Sequence, residues 1–206
     1  MRIERLENSK RKQERVLVYL EDGSILRITG AELLQFGLYQ GLDLPPETLA
    51  ALEAAARRSD TKRRGANMAA GRMLSKKELT SRLTRKGASP EDAADTADWL
   101  EELGAVDDAA YAGVIARHYG AMGCGAGRVR QELHRRGVPK ELWDEALAQL
   151  PPPEEAIRKF LRTKLRGRPL TPEDSRRMAA ALQRRGFSWQ DIRPALNELG
   201  QEIDEA

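Results

Sequence analysis

From residue 75 onward, apolar positions fall on helical faces, and the pattern is written three times. Gly87, Gly137 and Gly186, 50 and 49 residues apart, serve as origins. Leu79, Val129 and Met178 stand eight positions before them, and Leu83, Leu133 and Leu182 four before. Ala93, Trp143 and Ile192 come six positions after, Ala97, Leu147 and Leu196 ten after, and Leu100, Leu150 and Leu199 thirteen after. This is the i, i+4, i+7 spacing of one helical stripe. Each copy therefore predicts helix, glycine, helix. The glycines sit in the related phrases "LTRKGA" (83–88), "LHRRGV" (133–138) and "LQRRGF" (182–187). There a left-handed residue ends a helix without a Cβ clash.

Start signals follow or precede these ends. "SPED" at 89–92 offers Ser89 as a cap with proline in the first turn, "VPKE" (138–141) repeats the proline, and "SKKE" (75–78) is a capping-box pattern. A further helix leads each pair, at 107–119 and 153–165, and in weaker form at 61–74, where Gly65 and Gly71 dilute it. The unit is three helices in about 50 residues. Such a unit is expected to bury its apolar stripe only by stacking on its neighbours. The predicted fold is mainly α, an elongated curved array of three tandem three-helix repeats, at 59–104, 105–151 and 152–206, the last with an acidic tail. Ahead of it, residues 1–58 form an extension. It holds a β-hairpin over about 15–29, turning at Glu21-Asp22-Gly23-Ser24, and helices over about 31–37 and 46–58.

Composition narrows the class. A third of the residues are charged and only 5% are aromatic, which favours thin helices over one thick core, while 40% apolar content is too much for a disordered chain. No run approaches a membrane span, and "MRIERLENSKRKQER" has no signal-peptide core. A lone cysteine, Cys124, allows no internal disulfide and fits a reducing compartment. These features predict a soluble, cytoplasmic protein. Charge changes the picture more. Residues 57–87 carry eleven Lys/Arg and two acids, 88–113 eight acids and no cation, and 114–137 five cations and one acid. After an acidic stretch at 138–156, residues 157–187 hold ten cations and two acids. Charge alternates in blocks with the period of the repeated phrase.

The stretches "LSKKELTSRLTRKG", "WLEELGAVDDAAYAGVIARHY" and "GRVRQELHRRGVPKELWDEAL" resemble the RecX family, the bacterial regulators of the RecA recombinase. The resemblance covers roughly residues 60–200, and the hairpin with "FGLYQGLDL" (36–44) looks like the N-terminal extension of some members. The glycine-diluted first helix departs from the family's more regular apolar pattern.

The cation pairs at the phrase ends have a plain structural reading. A cation in the last turn offsets the free carbonyls, worth roughly 0.3–1 kcal/mol. That reading does not reach Lys62, Arg63, Arg64, Arg117, Arg158, Lys159, Arg162, Lys164 and Arg166 on the leading helices, nor Arg128 and Arg130 near the start of a second helix. A long positive face on first and second helices is the functional alternative, against a solvated surface balanced by neighbouring acids. The acids lack the spacing of a calcium loop. Trp99, Trp143 and Trp189 stand at different offsets from their glycines and read as packing residues rather than a platform for bases. "YGAMGCGAGR" (119–128) lacks the ending of a phosphate loop and reads as a connection. His118 and His134, the only histidines, make neither a zinc set nor a nucleophile pair with Cys124. No enzyme activity, cofactor, metal, small-molecule substrate or membrane partner is expected.

The resemblance implies a protein that lodges along the groove of the RecA–single-stranded DNA filament. There it limits growth or favours disassembly, damping ATP hydrolysis, strand exchange and the SOS response. Charge and repeat position, not family motifs, nominate Arg82, Arg85, Lys86, Arg128, Arg130, Arg135, Arg136, Arg162, Arg184 and Arg185 for contact with filament or DNA. The competing readings are a helical-repeat protein that binds DNA directly, weakly and without sequence preference, and an all-α adaptor for some other protein.

Overall fold

The computed structural model describes residues 1–9 and 15–204. The last two positions of the expected acidic tail lie outside the described residues. The chain is mainly helical and begins with a small antiparallel sheet of order β1-β2-β3: β1 (Ile3–Asn8), β2 (Arg15–Leu20) and β3 (Ile25–Thr29). The expected hairpin is β2–β3, closed at Gly23 with φ +81°. A third strand, β1, pairs along β2 from Ile3↔Leu20 to Asn8↔Val16. Its "IERLEN" buries Ile3 and half-buries Leu6 between exposed charges. The chain continues through α1 (Gly30–Gln35), α2 (Pro46–Gly71), α3 (Lys76–Arg85), α4 (Pro90–Glu102), α5 (Asp108–Ala121) and α6 (Ala126–Arg136). A 3-10 turn, Lys140–Leu142, leads into α7 (Trp143–Leu147), followed by α8 (Pro153–Leu165), α9 (Pro172–Arg184) and α10 (Trp189–Asp204).

These elements form two compact units. The first comprises Met1–Arg72 and Leu79–Ala105, the second Met73–Glu78 and Val106–Ala206. In the first, Ile3, Val18, Leu20 and Ile28 of the sheet close over Leu52 of α2 with Leu38 and Leu44 of the connecting segment. Where the sequence predicts two helices, 46–58 and 61–74, a single α2 of 26 residues runs from Pro46 to Gly71. The boundary expected at 58/59 therefore falls inside a continuous helix. Gly65 is the reason the helix can be both long and packed. A Cβ there would stand 2.6 Å from Thr96 Cγ2 and 3.2 Å from Leu100 Cδ1, so its bare backbone admits α4.

In the second unit, each repeat closes a core of its own. Tyr111, Ala112, Ile115 and Ala116 of α5 meet Val129 and Leu133 of α6 and Ala146 of α7. Ile157 and Leu161 of α8 meet Met178 and Leu182 of α9 and Ile192 and Leu196 of α10. The expectation that one unit cannot bury its stripe alone is corrected here: three helices carrying medium-sized side chains suffice to enclose one. The caps fall where local chemistry puts them. Ser89 Oγ accepts from Asp92 N at 3.0 Å, and Ser75 with Glu78 forms the reciprocal box. Gly87, Gly137 and Gly186 adopt φ of +91°, +71° and +89°. Trp189 departs from its packing reading and is 52% exposed. Trp143 follows it, half-buried with Nε1 donating to the Val138 carbonyl at 3.0 Å.

Candidate functional site

The ends of the second helices are built as joints. In the second unit, the turn that closes α9 lies against the start of α6, where Gly125 N donates to the Arg185 carbonyl and Gly127 N to the Gly186 carbonyl, both at 2.9 Å. A Cβ on Gly186 would collide with the backbone nitrogen of Arg128. The turn that closes α6 repeats the arrangement against the start of α3. There Ser75 Oγ donates to the Arg136 carbonyl, and Lys77 covers the face of Gly137. At the α9–α6 joint the carbonyls closing one helix are thus satisfied by the amides opening another, while at the α6–α3 joint the donor is the Ser75 hydroxyl.

These joints set where the sequence-nominated cations lie. In the second unit, Arg185 is brought to Arg128 at the α9–α6 joint. Arg185 Nη1 donates to the carbonyls of Met122 and Gly123 at 3.3 and 3.4 Å, and its guanidinium lies over the Phe160 ring at 4.9 Å. Arg128 stays exposed, 5.8 Å over Tyr119, while Arg130 and Arg184 are exposed on either side of the joint. Arg162 is exposed on α8. In the first unit, Arg85 and Lys86 are exposed at the end of α3 and Arg82 is half-buried.

Arg135 and Arg136 are different. Both are held by Glu132, whose side chain is only 3% exposed. Arg135 donates through Nε at 3.0 Å and Nη2 at 2.5 Å, and Arg136 through Nε at 2.6 Å. Arg136 also donates to the Tyr111 hydroxyl, which in turn donates to Glu78 Oε2 at 3.1 Å. The hydrogen bond from Arg135 is the largest influence on Glu132. With Arg136 it outweighs burial and draws the carboxyl down to about 2. Burial and the Glu78 charge push Tyr111 above its ordinary value. Arg135 remains 67% exposed, Arg136 29%. Sequence reasoning missed this network, although its signal was present. Glu132 is the one acid among five cations in 114–137 and stands three and four residues before the pair.

The joints also weaken the plain reading of these cations. Arg184 and Arg185 are not needed to offset free carbonyls where Gly125 and Gly127 already donate to them. Among the described residues no three His, Cys, Asp or Glu are grouped to hold a metal ion, and no helix is long and apolar enough to cross a membrane.

Residues 107–147 match a family model described as RecX, second three-helix domain, and residues 153–196 match RecX, third three-helix domain. A regulatory protein RecX of Chlorobaculum tepidum is 33% identical over 139 residues, covering 65% of this chain and 84% of the relative. A regulatory protein RecX of Lactobacillus delbrueckii subsp. bulgaricus is 29% identical over 211 residues, 96% of this chain and 75% of the relative. The solved crystal structure of a regulatory protein RecX superposes with a TM-score of 0.76 at 23% identity, covering 95% of this chain and 98% of its own. That last likeness bears on the fold.

Proposed function

Because the chain belongs to the RecX family of regulatory proteins, we propose that it regulates the RecA recombinase in the cytoplasm by binding the RecA–single-stranded DNA filament along its groove. Bound there, it limits filament extension, ATP hydrolysis and strand exchange in recombinational repair and the SOS response. The contact is shared among the repeats, 59–104, 105–151 and 152–206, through Arg82, Arg85, Lys86, Arg128, Arg130, Arg135, Arg136, Arg162, Arg184 and Arg185.

The observation that carries this reading is the surplus of exposed cations at a helix joint whose backbone groups already satisfy one another. Cations left exposed in such a place are not needed to close the joint, and many weak charged contacts suit a repetitive anionic partner. RecA's DNA-dependent ATPase, measured with substoichiometric protein, tests it together with retention on single-stranded and duplex DNA across salt. Arg128→Glu, Arg130→Glu and Arg184→Glu combined should lose inhibition at low ratio while keeping the helical circular dichroism of the parent. Retained inhibition in that variant overturns the residue assignment. Tight DNA retention with inhibition explained by competition for DNA alone replaces the filament reading with direct DNA binding.

A further inference from the structure

We propose that the first unit binds an acidic peptide segment with interspersed apolar residues, in a groove of about 960 Å³ bounded by β2–β3, α2 and the turn from α3 to α4. Among the described residues, five arginines line it, Arg15, Arg27, Arg57, Arg63 and Arg64, against three carboxylates, Glu53, Asp60 and Asp92. The groove uses none of the cations assigned above to the filament, so the inference stands apart from that assignment.

Among the described residues, the floor of the groove is short of negative charge. Arg15 is buried, its side chain only 6% exposed. The one carboxylate it meets among the described residues is Asp60, at 3.5 Å, through an oxygen that Arg63 reaches at 2.6 Å. Its other contacts are neutral, Ser59 Oγ at 3.2 Å and the Arg27 carbonyl at 3.3 Å. Arg64 takes the second Asp60 oxygen at 2.6 Å. Burial would raise the Asp60 pKa, but the hydrogen bond from Arg63 and the three guanidinium charges outweigh it and hold the carboxyl below its ordinary value. Arg63 Nε is buried with no hydrogen-bond partner among the described residues. One carboxylate thus serves three guanidiniums, and a buried cation so sparingly paired is stabilised by an anion from outside.

The backbone turn in the groove wall differs from its later counterparts. Gly137 and Gly186, at the ends of the later second helices, are closely covered by the neighbouring helix start. Gly87, their counterpart and part of the groove wall, has nothing within 4 Å of where a Cβ would stand. The helix start that covers the later turns has no counterpart here among the described residues, and the Lys86 carbonyl accepts instead from Arg64 Nη1 at 3.0 Å.

The lining chooses between anionic partners. Among the described residues no aromatic side chain lines the groove to stack a base, and the wall includes Leu17, Ile25 and Leu26. An extended peptide fits better, with carboxylates for the arginines and apolar side chains for the sheet.

The test uses the full chain and fluorescence anisotropy with a labelled twelve-residue peptide, Glu-Asp-Leu repeated four times. Lys-Arg-Leu in the same format and a twelve-nucleotide oligothymidylate serve as comparisons. The acidic peptide should bind saturably and more tightly than the basic one, weaken at least tenfold in Arg27→Glu/Arg57→Glu, and weaken severalfold in the milder Arg27→Gln/Arg57→Gln, which guards against misfolding. Absence of saturable binding to the acidic peptide, or binding indifferent to both variants, overturns the proposal. Oligothymidylate binding that is the property lost in these variants would reassign the groove to nucleic acid and equally overturn it.

Discussion

Replacing Glu132 by glutamine isolates the ion network that joins α6 to α5. The side chain keeps its shape and loses its charge, leaving Arg135 and Arg136 facing a neutral amide. In the folded chain the carboxyl is drawn from an ordinary 4.5 to about 2. By linkage that preference for ionisation is worth about 3 kcal/mol at neutral pH. Removing one partner of a buried pair costs about 3–5 kcal/mol in other proteins. Here the cost falls at or below the low end, about 2–3 kcal/mol, because Arg135 is 67% exposed and regains water when released. A chain with several separate cores need not melt as one, so local opening is the right readout. Amide hydrogen exchange across Val129–Arg136 should accelerate roughly 30- to 150-fold at pH 7. Since the folded pKa is depressed, the stabilisation is complete above about pH 4.5 and disappears as pH falls toward 2, with less than half left at pH 3. The gap between parent and variant should narrow accordingly. Exchange within threefold of the parent at pH 7, or an equal gap at pH 3, would refute the network's role in holding α6.

Gly186→Ala and Gly87→Ala share a positive φ, of +89° and +91°, which costs either alanine about 1–2 kcal/mol. Only the first also collides with Arg128, so its hydrogen-exchange or thermal penalty should exceed the second by at least about 1 kcal/mol, and equal penalties would deny the joint. Gly65→Ala should loosen α2 against α4 through the 2.6 Å approach to Thr96; a loss of about 1–3 kcal/mol is expected, with a second substitution, Thr96→Ser, recovering part of it in the same unfolding measurement.

What the sequence made legible is what a few adjacent residues determine among themselves. A serine three residues before an amide it can bond, as at Ser89 and Ser75, needs no tertiary help. A glycine at a left-handed helix end is equally local. The stripes at fixed offsets from Gly87, Gly137 and Gly186 came out buried or half-buried because periodicity carries the core face directly. What was hidden depends on distant partners. Gly65 reads as a flaw in a helix until α4 is laid against it. Arg15 reads as the charged first residue of a strand, yet its guanidinium lies buried 44 and 45 residues away in sequence, beside Ser59 and Asp60. β1 was obscured by its charges, since it buries only one residue fully and relies on β2 for its pairing. Of the nominated cations, charge and position could not separate Arg136, half-sunk in an internal network, from Arg128, Arg130 and Arg184, which face water.

The repeated phrase has a physical logic once the joints are known. Its leucine belongs to the core, and its glycine permits backbone approach. The three positions between, the last two of them cations, are free of both duties. At the start of α6, exposed arginines would ordinarily be disfavoured by the positive end of the helix. The carbonyls of Arg185 and Gly186, seated on the amides of Gly125 and Gly127, cancel much of that field. A helix end delivered to a helix start therefore makes a place where cations from both sides collect at little cost to folding. Charge there can be set by a partner rather than by the fold. The same phrase at Gly87 is covered by no helix start among the described residues, so its turn faces a neighbourhood of arginines, one of which, Arg64, donates to the Lys86 carbonyl. One local solution, copied, yields closed basic joints where a helix start covers it and, at Gly87, an uncovered turn beside a groove lined with arginines.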